Sequence, residues 1–210
     1  MMIKLKICGM KYPENIREVA LLQPDFMGFI FYPASKRFVD QLDPMLLSQL
    51  PENIAKVGVF VNHDLIEVIQ TAERFNLDLL QLHGDESVEY LKTLKKQLID
   101  SGVRLMKAFG VDENFDFSQL NEYEAAVDYF LFDTQTSGYG GSGKQFNWDL
   151  LKKYTLDTPY FLSGGIDLES LEALRKMEDS RLFAIDVNSK FELEPGNKDI
   201  SKLKEFKRQL

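Results

Sequence analysis

Short apolar runs alternate along the chain with stretches in which apolar residues return every three or four positions. The runs at 3–8, 27–32, 56–61, 78–83, 103–109, 128–133, 159–165 and 181–187 are rich in β-branched, leucine and aromatic residues and predict strands. Between them the helical spacing predicts helices over 13–22, from about 44, over 65–75, over 87–99, over roughly 116–124, from Trp148 and from Leu168. A last helix runs from Ile200 to Leu210. Pro13 suits a first helical position, where its missing N–H has no partner to lose. Strict β-then-α alternation requires a parallel sheet, and eight units with no Pro/Ser-rich linker between them favour closure into a (β/α)8 TIM barrel. An open doubly wound sheet, the alternative, usually has fewer strands. One domain over residues 1–210 is expected.

In such a barrel the strands' C-terminal ends form the active face. Side chains alternate along a strand, so Ile3, Leu5 and Ile7 share one face of the first strand, and Lys4, Lys6 and Cys8 the other. The apolar face belongs against the helices, which turns Lys6 and Cys8 toward the barrel axis. By the same rule Gln81 pairs with His83, Leu131 with Asp133 and Ala184 with Asp186. Cys8, His83, Asp133 and Asp186 then converge on one mouth, with a thiol, an imidazole and two carboxyls available for acid–base chemistry. Structural readings stand beside each of these. Cys8, the only cysteine, is of a type often buried and inert. His83 can orient a loop, Asp133 can cap a turn, and Asp186 can neutralise Lys6 as readily as touch a substrate. His63 reads as a surface residue before a helix.

Two glycine-rich segments follow strands. GYGGSGKQ at 138–145 nearly matches a P-loop, but Gln145 stands where the magnesium-binding Ser/Thr is required. It reads instead as a substrate-covering loop next to Asp133, with glycines that let backbone approach a ligand. SGG at 163–165 precedes Asp167, a suitable helix N-cap, and the eighth strand ends in Asp186-Val187-Asn188-Ser189-Lys190. Loops after the seventh and eighth strands, with a helix N-terminus, are the recurring phosphate site of these barrels.

Composition narrows the field. A net charge of -8 argues against a general nucleic-acid or anionic-membrane surface, though not against a local anion site. One cysteine forms no internal disulfide and two histidines are too few for a zinc cluster. The start has no signal-peptide pattern, because Lys4 and Lys6 interrupt its apolar run, and no run reaches the ~20 apolar residues of a membrane-spanning helix. A soluble cytoplasmic protein is expected.

Taken in order, KICGM (6–10), GFIFYPASKRFV (28–39), VGVFVN (57–62), QLHGDE (81–86), FDT (132–134), GGSGKQFNW (140–148), SGGI (163–166) and DVNSKFELEPGNKD (186–199) resemble the phosphoribosylanthranilate isomerase family. The resemblance runs end to end. It implies a (β/α)8 fold and an Amadori rearrangement of N-(5-phosphoribosyl)anthranilate in tryptophan biosynthesis. Asp133 would be the general acid and Cys8 the general base. Arg37 would meet the anthranilate end; His83 and Asp186, by their inward strand-end positions, stand as further candidate substrate contacts. Gly164, Gly165, Ser189 and Lys190 would bind phosphate. The resemblance implies neither cofactor nor metal, a small phosphosugar-anthranilate substrate, no nucleic-acid or membrane partner, and a monomer or homodimer. Met10, Ser142 and Lys190 depart from the family pattern, and Lys190 replaces a common glycine in the phosphate loop. The chemistry needs Asp133 protonated and Cys8 ionised, the reverse of their unperturbed order. A neighbouring cation such as Lys6 would lower the thiol's pKa.

Overall fold

A computed structural model describes residues 3–135 and 145–210. Eight parallel strands close into a barrel in chain order: β1 (Lys4–Ile7), β2 (Phe26–Ile30), β3 (Ala55–Phe60), β4 (Leu79–Leu82), β5 (Arg104–Val111), β6 (Tyr129–Thr134), β7 (Tyr160–Leu162) and β8 (Leu182–Val187). The expected (β/α)8 fold is therefore the observed one. Closure comes from β1 pairing with β8, in a register that sets Lys4 against Ala184 and Lys6 against Asp186.

The alternation of side chains sorts the core into two layers. Phe26, Val57, Leu79, Met106, Leu131, Phe161 and Ala184 fill the barrel interior. Ile7, Phe29, Leu80, Phe130, Phe132 and Ile185 face outward and pack under the helices. Phe26 and Phe161 meet edge-on with ring centroids 5.1 Å apart. The interior is thus packed solid below the mouth, and the polar residues sit on top of that plug.

The helices are α1 (Pro13–Ala20), α2 (Pro44–Ser48), α3 (Leu65–Phe75), α4 (Val88–Gln97), α5 (Leu171–Arg175) and α6 (Ile200–Gln209). Their starts follow from capping chemistry. Asp43, Ser87 and Asp199 each accept a backbone N–H of the first turn, and Pro13 and Pro44 open α1 and α2. Asp167 is the expected N-cap: it closes a capping box with Ser170 at the start of a short 3-10 turn, Leu168–Ser170, that leads into α5.

Two expected α-helices are instead 3-10 helices. After β5 the chain makes short 3-10 segments at Phe117–Glu122 and Glu124–Ala126, and after β6 one at Trp148–Lys153. The reason is legible in the spacing. Phe117, Leu120, Tyr123 and Ala126 recur every third residue, as do Trp148, Leu151 and Tyr154, which puts each set on one side of a three-residue turn. A small antiparallel hairpin, β9 (Glu192–Glu194) and β10 (Asn197–Lys198), joins β8 to α6 and was not expected. The glycine-rich segment at 138–144, Ser142 included, lies outside the described residues.

Candidate active site

Strand ends deliver the chemistry. Lys6 is wholly buried at the end of β1, and its ammonium donates to Asp186 Oδ2 at 2.8 Å and to Gln81 Oε1 at 2.9 Å. Asp186 Oδ1, also buried, has no protein partner among the described residues. Asp186 thus neutralises Lys6, and its second oxygen makes no hydrogen bond with another described residue. Cys8 follows on the same face, against Lys6 and the backbone of Gly28. A Cβ on Gly28 would stand 2.7 Å from Cys8 Sγ, so only glycine leaves room for the thiol. Nothing local in the sequence flagged Gly28, because its neighbour belongs to another strand.

Electrostatics at Cys8 differ from expectation. Lys6 and, more weakly, Lys198 do favour the thiolate, but burial outweighs them and Asp186 opposes them, so the thiol is pushed above its ordinary value. Desolvation is the dominant effect because the packed strands leave Cys8 almost no contact with solvent except toward the cavity. Asp133, at the end of β6, behaves as expected: burial raises its pKa to about 6, against the pull of the Thr134 N–H on Oδ1 at 2.7 Å. Oδ1 thus bonds the next residue of its own strand rather than capping a turn. The other oxygen, Oδ2, faces His83 Nε2 at 3.8 Å.

His83 is kept neutral. Burial, together with Lys107 and Lys6, depresses its pKa to about 3. His63 is half-buried rather than superficial, packed edge-on against Phe60. Arg37 approaches from the loop after β2 and forms a forked pair with Glu192, with contacts of 2.6 to 3.1 Å. Glu192 also accepts from Lys198 at 2.7 Å, and Lys198 reaches Asn188 at 2.7 Å. The sequence reading missed Glu192 and Lys198 as site residues; the β9–β10 hairpin brings them in, and nothing in the sequence shows that Lys198 is buried and so needs a carboxylate.

One cavity of about 250 Å³ joins these groups. Cys8, Arg37, His83, Asp133 and Asp186 line it, and so do Gly164, Gly165, Ser189 and Lys190. The structure thus brings together every residue singled out as a site candidate. Gly164 and Gly165 both have left-handed φ, +94° and +65°, and a Cβ on Gly164 would come within 3.0 Å of Asp133 Oδ1. Lys190 does not share that conformation, so its replacement of a glycine brings no backbone strain; its side chain is exposed at the rim.

Fold and site together define a (β/α)8 barrel whose C-terminal mouth gathers a thiol, an imidazole, two carboxyls and an arginine around one cavity. Residues 5–209 match the family model of N-(5'phosphoribosyl)anthranilate (PRA) isomerase. An N-(5'-phosphoribosyl)anthranilate isomerase of Parabacteroides distasonis is 49% identical over 98% of this chain and 92% of its own. The solved phosphoribosyl anthranilate isomerase of Thermotoga maritima superposes with a TM-score of 0.84 at 33% identity, covering 99% of this chain and 98% of that one. Another solved isomerase, in complex with reduced 1-(o-carboxyphenylamino)-1-deoxyribulose 5-phosphate, gives 0.80 at 29% identity, covering 99% and 98%. The chain belongs to the PRA isomerase family and is an isomerase.

Proposed function

We propose that this protein converts N-(5-phosphoribosyl)anthranilate to 1-(2-carboxyphenylamino)-1-deoxyribulose 5-phosphate, as a step of tryptophan biosynthesis. Asp133 gives a proton to the furanose ring oxygen. The C1–O bond breaks, and the anilinic nitrogen's lone pair forms the Schiff base. Cys8, through the small ionised fraction that burial leaves it beside Lys6, then takes the proton from C2, the electrons moving through C1 to nitrogen. The enolamine loses its hydroxyl proton and gains one at C1, giving the ketone with the same atoms as the substrate.

The observation that carries this reading is geometric: Asp133, its carboxyl raised to about 6, and Cys8, its sulfur against the Lys6 ammonium although burial raises the thiol, line one cavity. A carboxyl so raised retains a proton for ring opening far better than an ordinary aspartate. Arg37 is the partner for the anthranilate carboxylate: its fork to Glu192 leaves Nη1 without a protein hydrogen bond among the described residues. The Gly164–Gly165 turn, the 3-10 turn at Ser189–Phe191 and the Lys190 cation suit the phosphate end. Asp186 Oδ1 and His83 are left to hold sugar hydroxyls. A base that must stay a free thiol suits a reducing compartment, hence the cytoplasm. Among the described residues no helix is long and apolar enough to cross a membrane.

The test is turnover of freshly generated N-(5-phosphoribosyl)anthranilate, followed as loss of anthranilate fluorescence with chelator present. Wild type should run well above the spontaneous rate. Cys8→Ala and Asp133→Asn should each lose about 10²-fold or more in kcat while remaining folded. Near-normal rates in both variants would overturn the roles assigned here, and an inactive, folded wild type would overturn the substrate.

A further inference from the structure

Between the two catalytic groups runs a line of side chains whose middle member, Gln81, the mechanism above does not use. Lys6 Nζ bonds Gln81 Oε1 at 2.9 Å, Gln81 Nε2 stands 2.8 Å from His83 Nδ1, and His83 Nε2 faces Asp133 Oδ2 at 3.8 Å. Gln81 is buried, in the middle of that line. Its orientation has one solution. An ammonium can only donate, so the atom next to Lys6 is the amide oxygen, and the amide nitrogen faces the imidazole. That nitrogen can only donate, so His83 Nδ1 accepts and carries no proton. The ring proton is on Nε2, directed at the acid.

We propose that Gln81 is a positioning residue that holds His83 with its Nε2–H facing Asp133 across 3.8 Å, a gap that closes to a hydrogen bond only when Asp133 ionises, and that Lys6, through Gln81, sets this polarity from the thiol side of the site. The inference rests on the isomerase reading for its catalytic consequence, but not for the tautomer itself. His83 then cannot act as the acid. It receives Asp133 once that carboxyl has given up its proton, when Oδ2 becomes an anionic acceptor beside a waiting N–H. The groups facing His83 are consistent with this. Lys6 from β1 and Lys107 from β5 both disfavour an imidazolium, and Asp133 from β6 is the only carboxyl within ion-pair distance of the ring among the described residues.

Gln81→Glu reverses the polarity. A carboxylate between Lys6 and His83 can only accept, so Nδ1 must take a proton and Nε2 presents a lone pair to Asp133. The imidazole then competes for the proton Asp133 needs. Gln81→Met removes the bond without reversing it.

The experiment is imidazole-nitrogen NMR on protein labelled at histidine, with His63→Gln to assign the two rings, alongside kcat and KM for each variant. Wild-type His83 should show a neutral ring with the proton on Nε2 from about pH 5 to pH 8. Gln81→Glu should move a proton to Nδ1 and lower kcat at least about tenfold, with KM changing less. Gln81→Met should give a mixture of tautomers and a smaller kcat loss. A wild-type ring protonated on Nδ1, or Gln81→Glu with an unchanged ring and unchanged kcat, would overturn the proposal. Should Gln81→Glu fail to fold, the wild-type spectrum still decides. A folded wild type without turnover would end the isomerase reading and leave the tautomer to the spectrum.

Discussion

Asp133 binds its proton more tightly in the folded protein than an ordinary aspartate does, because burial penalises the carboxylate. The linkage has a definite sign. A raised carboxyl pKa contributes stability that is fully present below about pH 4 and is lost as pH rises through about 6. Above that pH the folded protein must bury a charge. Asp133→Asn keeps an acceptor for the Thr134 N–H and removes the charge. We therefore expect the variant to be more stable than wild type at pH 8 by up to about 3 kcal/mol, the difference vanishing near pH 4. Urea unfolding of both proteins across that range checks it; a pH-independent difference would mean that Asp133 titrates normally. At this scale the sequence was informative. Period-two alternation turned Cys8, Asp133 and Asp186 inward before any contact was known. It could not rank burial against Lys6 at Cys8, since desolvation depends on everything that surrounds the sulfur.

Single elements add a second kind of device. The β9–β10 hairpin is short and exposed at its tip, yet it carries Glu192, whose carboxylate accepts from both Arg37 and Lys198. Arg37 and Lys198 hold the Glu192 carboxyl below its ordinary range, despite burial. Removing that charge frees the Arg37 fork to swing. Glu192→Gln is expected to raise KM about tenfold with a smaller change in kcat, because a misplaced guanidinium weakens binding more than it alters the reacting atoms. Steady-state kinetics at fixed pH reads it, and an unchanged KM would mean that other contacts aim Arg37. Other elements were legible to varying degrees. α3 and α6 carry clear helical spacing and cap residues, and their observed ends lie within a residue of those expected. The stretches after β5 and β6 were misread as α-helices because three-residue and four-residue spacings overlap over two turns.

For the whole molecule the decisive event is closure. The β1–β8 register sets Lys6 beside Asp186, a buried pair 180 residues apart in sequence. Lys6→Met leaves a carboxylate enclosed without its cation and should cost about 3–5 kcal/mol; adding Asp186→Leu should recover most of that loss. Urea midpoints for both single variants and the double variant test it. A loss below about 1 kcal/mol in Lys6→Met would show that the pair does not hold the seam.

The sequence by itself determined the barrel, its strand order and which side chains end each strand facing inward, because those depend on local periodicity and on the limited ways eight βα units can pack. Its family resemblance determined which of those side chains to follow. Only the tertiary structure decided that Gln81 joins Lys6 to His83, that Gly28 makes room for Cys8, and that Glu192 grips Arg37. Each is a contact between strands or loops distant in the chain, fixed by register and closure. The raised carboxyl and thiol belong there too, since a pKa reports the water removed by the whole fold around a group.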